Sequence, residues 1–156
     1  MVVFDRAFFE AVETPRKSFR PLLNYDEYLE ILKSVDIVLM PLEDTPFNRC
    51  KSDLKFLEAS ACGAVALASP VVYGGSIRNW DTGVIFANPD EFAGALARLI
   101  EDAALRRRLS QQAYRYVAEE RQLDGQLAAR EQWYRSLAAR RHELTAALLA
   151  RVPELA

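Results

Sequence analysis

Apolar runs alternate with helical periodicities along most of the chain. The runs "DIVLMPL" (Asp36–Leu42) and "AVALASP" (Ala64–Pro70) have the length and apolar content of buried strands. Further strands are predicted at Val2–Phe4, at "KSFRPLL" (Lys17–Leu23) and at Val84–Phe86. Strands that are apolar along their whole length are typical of a parallel sheet that is covered on both faces.

Three helices are predicted from their start signals. Asn24 and Glu27 form a capping-box pattern, Asn88 followed by Pro89 marks a second start, and Asp102 can cap a third helix. The residues that would face the core at helical spacing are Tyr25, Tyr28, Leu29, Leu32 and Val35 in the first helix, Phe92, Leu96, Leu99 and Ile100 in the second, and Leu105, Leu109, Ala113 and Tyr116 in the third.

Helices between strands imply βαβ units, and therefore an α/β fold with a Rossmann-like parallel sheet flanked by helices. In such sheets ligands bind at the carboxyl ends of the strands. The stretch "FNRCKSDLKFLEASACG" (Phe47–Gly63) follows such an end and predicts a helix that begins near Ser52 and stops at Gly63. Glu58 falls on the predicted apolar side of this helix. That side consists of Leu54, Leu57 and Ala61.

Charged residues gather at the start of this predicted helix. Ser52 can cap it, and Asp53 complements its positive end. Lys51 and Lys55 stand beside the helix amides, and together these groups form a diphosphate site that needs no glycine-rich loop. The Glu58 carboxylate has two acceptor oxygens, which suit a vicinal diol such as ribose. The alternative is that the lysines are solvated and that Glu58 pairs with Lys55 across one helical turn.

The last part of the chain has a different composition. From about Leu123 it is rich in Ala, Arg, Leu and Glu, and no glycine follows Gly125. The pattern predicts one or two long helices as an extension over 121–156, after a partial Rossmann-like domain over 1–120. One side of this extension would carry Trp133, Leu137, Leu144 and Leu148. A docking helix, a partner-binding helix and a membrane-surface helix are the open interpretations.

Composition narrows the possible functions. The 156 residues carry a formal net charge of −2, so no basic field favours nucleic acid. His142 is the single histidine and stands among charged residues, which leaves almost no room for a Ser-His-Asp triad or a multi-histidine metal site. Cys50 and Cys62 are too few for a disulfide framework. With no apolar run of membrane-spanning length and no signal-peptide pattern at the start, a cytoplasmic protein is expected.

The combination "DIVLMPL…FNRCKSDLKFLEASACGAVALAS" resembles one known family. It is similar to the C-terminal, nucleotide-sugar-binding half of GT-B-fold glycosyltransferases of the retaining, group 1 kind. In that family a strand ends near a proline, a loop leads to a helix with "E-A-x-A-x-G", and a strand like "P-V-V-A-S" follows. The similarity covers about Phe19 to Phe86 and continues more loosely to Tyr116.

The resemblance implies a transferase that moves a sugar from a nucleoside diphosphate sugar to an acceptor hydroxyl, in polysaccharide or glycoconjugate synthesis. Glu58 matches the glutamate that binds the ribose, and Cys50 stands where the family often keeps a glutamate that contacts the donor sugar. Tyr73 either lines the base or sugar pocket or anchors its loop. The residues predicted to bind the donor are Asn48, Cys50, Lys51, Ser52, Lys55, Glu58 and Tyr73.

The sequence also departs from the family. The acceptor-binding first domain and a glycine-containing loop of the second domain are absent, so the chain is expected to be part of a longer enzyme that binds donor weakly when isolated and does not turn over. No catalytic residue is assigned, and no metal and no cofactor besides the donor substrate are expected. The expected partners are a nucleotide sugar and an N-terminal acceptor domain, without nucleic acid or a transmembrane segment, while peripheral membrane contact is left open.

Two other functions compete with this one. The first is a non-catalytic Rossmann-like interaction module that binds a protein partner through its C-terminal helices. The second is a doubly wound domain for another phosphorylated ligand. Fold alone does not distinguish these functions from a donor-binding domain, because function resides in the site and not in the fold.

Overall fold

A computed structural model describes residues 1–21 and 23–155. The chain divides into two compact units, Met1–Tyr114 and Arg115–Ala156. The boundary between the units lies inside a long helix, whereas the sequence pattern places the division after residue 120. The assignment of 1–120 to donor binding and of 121–156 to an extension stays a prediction.

Five short strands form two parallel sheets in the described part of the first unit. They are β1 (Val2–Val3), β2 (Ser18–Phe19), β3 (Ile37–Met40), β4 (Val65–Ala68) and β5 (Val84–Ile85). One sheet pairs β1 with β2, and the other has the order β3-β4-β5. Every pairing is parallel, as predicted. The predicted strand at Lys17–Leu23 is shorter than expected, and its Leu22 lies outside the described residues.

The helices of the first unit connect these strands and follow them. They are α1 (Arg6–Ala11), α2 (Tyr25–Ser34), α3 (Pro46–Arg49), α4 (Leu54–Ala61), α5 (Pro70–Tyr73), α6 (Pro89–Glu101) and α7 (Ala103–Glu120), which continues into the second unit. The capping box at Asn24 and Glu27 is confirmed, with both reciprocal hydrogen bonds present. Asn88 and Asp102 also accept the predicted amide bonds, from Glu91 and Leu105 respectively. The predicted helix starts therefore form because the side-chain oxygens satisfy amides of the first turn.

The core of the first unit surrounds β4, whose four residues are all buried. One buried cluster consists of Val65, Leu67, Val84, Ala95, Leu99, Leu105 and Leu109. Two predicted core positions are wrong, because Ile100 is 61% exposed and Tyr25 is 59% exposed. Both lie at the edge of a helical stripe, where sequence spacing cannot tell the covered side from its margin.

Helix α4 shows the largest correction to the predicted packing. Its buried residues are Phe56, Ala59 and Ser60, whereas Leu54 is 54% exposed and Ala61 is also exposed. At 3.6 residues per turn, the buried side is turned by roughly 140° from the predicted apolar side and lies nearer the opposite face of the helix. Gly63 ends the helix with φ +83°, which confirms its predicted role, since this conformation favours glycine.

The second unit consists of the end of α7 and four further helical segments. They are the short 3₁₀ turns Asp124–Gln126 and Pro153–Leu155 and the helices α8 (Leu127–Ala139) and α9 (Arg141–Arg151). The prediction of one or two long helices is confirmed, and the structure has two, α8 and α9. No residue of α8 or α9 is buried in the part of the chain that the structure describes. His142 is exposed on α9, as expected.

Candidate functional site

Two loops meet at the carboxyl edge of the β3-β4-β5 sheet. The loop after β3 is tied to the end of β4 by the Leu42 amide, which donates to Ser69 Oγ at 2.9 Å. The same loop leads to Asp53, whose Oδ2 accepts a hydrogen bond from Ser76 Oγ at 2.5 Å. These two bonds join the segments that follow adjacent parallel strands, which is the place where α/β sheets bind ligands.

Helix α4 begins at Leu54, so the predicted start near Ser52 is wrong. Asp53 occupies the N-cap position but makes no side-chain cap bond to the helix, because its carboxylate accepts from Ser76 instead. Ser52 is exposed and precedes the helix as a loop residue. The first turn of α4 therefore has an exposed entrance and no side-chain cap, while the Phe56 amide donates to the Asp53 carbonyl at 2.9 Å.

The predicted phosphate-binding lysines are both exposed near this helix start. Lys51 Nζ lies 5.1 Å from the centre of the Phe47 ring, which is itself 75% exposed. This cation–π contact holds the Lys51 side chain without neutralising its charge. Lys55 lies in the first turn of α4. Two positive charges at a helix N-terminus make the local potential favourable for an anion.

Glu58 does not pair with Lys55 in the described structure. Its Oε1 accepts a hydrogen bond from the Tyr25 hydroxyl of α2 at 3.0 Å. Tyr28, one turn further along α2, also faces Glu58, and burial together with the Glu58 charge raises the pKa of the Tyr28 hydroxyl to about 12. Two phenols therefore surround the carboxylate, and the interpretation of Glu58 as half of an i, i+3 ion pair is wrong.

The remaining loop residues have structural partners of their own. Asn48 Nδ2 donates to the Glu43 carbonyl at 2.9 Å, and its amide donates to Thr45 Oγ1, which caps α3. Cys50 is an exposed free thiol just after α3, at the place where the resembling family often has a glutamate. Asn48 lies within α3 and Cys50 directly follows it, on the segment that leads to α4, and their role in donor binding stays a prediction.

Tyr73 is buried, with 2% of its surface exposed. Burial, and to a smaller extent the Asp53 charge, raises the pKa of its hydroxyl. The burial supports the interpretation of Tyr73 as a loop anchor. The preceding Val72 has φ +70°, a conformation that is strained for a β-branched residue. This strained turn lies between β4 and Ser76, on the same side of the sheet as the start of α4.

The polar loop before β5 has a structural function. The Arg78 amide donates to Thr82 Oγ1 at 2.9 Å, and the Ile85 amide donates to Asn79 Oδ1 at 3.0 Å. Trp80 packs against the core cluster, and the Arg98 guanidinium lies 4.6 Å from its ring centre. These contacts fix the entrance to β5.

A pocket of about 260 Å³ lies at the opposite edge of the sheet. Lys33, Asp36, Cys62, Arg106 and Arg107 are among its lining residues. None of the residues predicted to bind the donor lines this pocket. Ligands of α/β sheets bind at the carboxyl ends of the strands, so we take the open carboxyl edge as the candidate site. The concave pocket lies at the opposite edge of the sheet.

Among residues 1–21 and 23–155, no group of three or more His, Cys, Asp or Glu side chains could hold a metal ion. Within the same residues, no helix has both the length and the apolar character needed to cross a bilayer.

The sequence profile of the glycosyl transferase-like family matches residues 6–132. The chain belongs to this family. No curated protein matches the chain at a significant level. The profile match includes both loops of the carboxyl edge and the whole of α4.

Solved structures of glycosyltransferases share the fold. The C-terminal domain of the group 1 family glycosyltransferase LpcC from Francisella tularensis is 21% identical, with a TM-score of 0.59 over 69% of this chain and 55% of that one. Sucrose-phosphate synthase from Thermosynechococcus elongatus is 26% identical, with a TM-score of 0.66 over 80% of this chain and 31% of that one. WaaG, a glycosyltransferase involved in lipopolysaccharide biosynthesis, is 20% identical, with a TM-score of 0.56 over 67% of this chain and 27% of that one.

These comparisons confirm the predicted resemblance to the C-terminal domain of a GT-B glycosyltransferase of group 1. They also confirm the predicted Rossmann-like α/β fold. The chain spans 55% of the LpcC domain and about a third or less of the other two structures.

Sequence reasoning missed two members of the site in this glycosyl transferase-like chain. The helical spacing predicts that Tyr25 faces the core, and no sequence pattern indicates a role for Ser76. A signal for Tyr25 exists in the sequence, because it directly follows the capping residue Asn24 of a helix that leaves the carboxyl end of β2. No comparable signal marks Ser76, whose partner Asp53 is 23 residues away along the chain.

Proposed function

We propose that this chain provides the donor-binding part of a glycosyltransferase that uses a nucleoside diphosphate sugar. The observation that carries the proposal is Glu58, which the Tyr25 hydroxyl holds near the start of α4. A carboxylate with a fixed orientation can accept hydrogen bonds from a ribose diol, and the family membership makes a nucleotide sugar the natural ligand.

The diphosphate would lie at the N-terminal end of α4. Lys51 and Lys55 are exposed there, and the Asp53 side chain makes no cap bond to the helix, although the Phe56 amide donates to the Asp53 carbonyl at 2.9 Å. During transfer, the bond between the anomeric carbon and the diphosphate oxygen breaks, and the diphosphate leaves with the electron pair. The acceptor hydroxyl forms the new bond to the anomeric carbon, and its proton passes to the departing diphosphate. Fixed positive charge stabilises the leaving diphosphate in the transition state.

We propose further that the acceptor is a hydroxyl of a saccharide or glycoconjugate, and that the acceptor-binding surface is supplied outside these residues. Two similar structures are a sucrose-phosphate synthase and a glycosyltransferase involved in lipopolysaccharide biosynthesis, and both of those chains are much longer than this one. No cofactor besides the donor and no metal are part of the proposal, and a cytoplasmic location is proposed with it.

The test is calorimetric titration of the 156-residue chain with UDP, GDP and dTDP. We expect weak binding of at least one of them and loss of detectable binding in Glu58→Ala, because the ribose contact is removed. Glu101→Ala, which removes an exposed carboxylate at the end of α6, is the matched control and should bind like the unsubstituted chain.

Lys51→Ala should weaken binding, and the weakening should shrink as salt is added, because exposed charges are screened. Binding that persists in Glu58→Ala would contradict the ribose assignment. The absence of binding to all three nucleotides would favour the interaction-module alternative, for which the exposed Trp133 and Tyr134 on α8 are the supporting observation.

A further inference from the structure

Tyr25 is an exposed side chain with a defined position. It is the first residue of α2, and the capping box formed by Asn24 and Glu27 fixes where that helix begins. Its side chain is 59% exposed, so burial of its ring contributes little to the core. The hydroxyl nevertheless donates to Glu58 Oε1 at 3.0 Å, across 33 residues of sequence. A long-range bond from an exposed residue to a candidate ligand-binding carboxylate indicates a role other than packing.

The neighbouring aromatic rings restrict where Tyr25 can lie. Its ring centre is 6.3 Å from that of Tyr28, and the Tyr28 ring is in turn 6.4 Å from Phe4 in an edge-to-face arrangement. Such aromatic pairs favour specific geometries. The Tyr25 hydroxyl therefore approaches Glu58 from a ring that is supported on one side and open to solvent on the other.

A glutamate on a helix surface ordinarily samples several rotamers, and ordering it costs free energy when a ligand binds. A charge-assisted hydrogen bond to Oε1 selects one orientation in advance. The Tyr28 hydroxyl also faces this carboxylate. A carboxylate has about four acceptor positions, so even with both phenols bound two remain for the two hydroxyls of a vicinal diol. A 2′-deoxyribose has only one of these two hydroxyls, so one of the two acceptor positions on Glu58 would have no partner.

We propose that Tyr25 is a positioning residue that orients Glu58 toward a ribose diol and thereby makes the site select ribonucleotides over 2′-deoxyribonucleotides. This inference rests on the proposed function and adds to it a residue and a specificity. The role of Tyr25 is inferred from its hydrogen bond to Glu58 and not from the family membership.

The experiment compares Tyr25→Phe with the unsubstituted chain by calorimetric titration of four probes: UDP, 2′-deoxy-UDP, GDP and 2′-deoxy-GDP. Removal of the hydroxyl should weaken binding of the preferred ribonucleotide by roughly fivefold, since a hydrogen bond to a charged group is lost. Binding of the 2′-deoxy form should change much less, so the ratio of the two affinities should fall toward one.

The matched control is Tyr114→Phe, which removes a hydroxyl from a residue of similar exposure, 55%, in the same unit. It should leave both the affinities and their ratio unchanged. Both variants should keep the melting temperature of the unsubstituted chain, because both rings are retained and largely exposed.

Three results would overturn the inference. Equal weakening of the ribo and deoxy forms would show a merely structural role, unchanged affinities would show no role, and tighter binding would show that the Tyr25 hydroxyl competes with ribose for Glu58. If the unsubstituted chain binds none of the four probes, the proposed function itself fails and this inference fails with it. That failure is recognised without any variant, whereas the first three require binding by the unsubstituted chain.

Discussion

The helices of the two compact units differ in how much of their surface is covered. In the first unit, α4 buries Phe56 completely, and all four residues of the neighbouring strand β4 are buried. In the second unit, α8 and α9 bury no residue within the described chain, and Trp133 is 56% exposed. Apolar residues recur at helical spacing in both units, so the pattern predicts helices in both but does not predict burial.

Exposed ion pairs between neighbouring turns of a helix link side chains in the second unit. Glu131 and Arg135 form an i, i+4 ion pair at 2.7 Å, and Arg140 and Glu143 form an i, i+3 pair at 2.9 Å. Exposed pairs of this kind contribute only a few tenths of a kcal/mol each. Packing therefore stabilises the first unit, whereas α8 and α9 have weak contacts along each helix.

The largest expected effect comes from the core of the first unit. Phe56→Ala should lower the free energy of unfolding by about 3–5 kcal/mol, because it removes a fully buried ring and leaves a cavity. Trp133→Ala should cost less than about 0.5 kcal/mol by the same reasoning, since an exposed side chain away from special features is tolerated. Urea unfolding followed by circular dichroism measures both, and equal losses would contradict the comparison.

A smaller effect is expected where a glycine is closely surrounded. A Cβ on Gly83 would lie 3.1 Å from Ile77 Cγ2 and 3.2 Å from the Ala66 carbonyl oxygen, and the backbone oxygen of a central strand cannot easily move. Gly83→Ala should therefore destabilise the chain by about 1–3 kcal/mol, as overpacking does. Gly125→Ala is the control in the second unit, where the added carbon would meet nothing within 4 Å. Thermal unfolding of the two variants compares them directly.

The smallest effect is a change in the stability of the first unit at alkaline pH. The pKa of Tyr28 is raised from 10.0 to about 12, by burial first and then by the Glu58 charge. A raised folded pKa means that the folded state holds its proton longer, so this stabilisation is complete below pH 10 and is lost as the pH rises toward 12. Unfolding measured across this range should show the decline, and Tyr28→Phe should show less of it.

The spectroscopic control for this prediction is the phenolate absorbance during an alkaline titration. The part that titrates near pH 12 should be reduced in Tyr28→Phe. A variant with the same stability profile as the unsubstituted chain would show that Tyr28 is not the group responsible.

Much of the fold and some of the candidate site followed from local sequence signals. The capping residues Asn24, Asn88 and Asp102 were predictable because a side-chain oxygen and the amides it satisfies lie within a few residues of each other. The strands β3 and β4 were predictable because a strand buried on both faces must be apolar throughout. The placement of Lys51, Lys55 and Glu58 near a helix that starts at the carboxyl edge followed from the order of strands and helices.

Tertiary structure decided the properties that depend on distant residues. It turned α4 so that Phe56 and not Leu54 is buried, because burial depends on the position of β4 and α2 and not on spacing within the helix. It directed Asp53 to Ser76 and not to the helix amides, and it brought Tyr25 to Glu58. The sequence by itself determined where elements begin and which are apolar, since those interactions are local. Only folding decided which polar groups meet, since those partners are tens of residues apart.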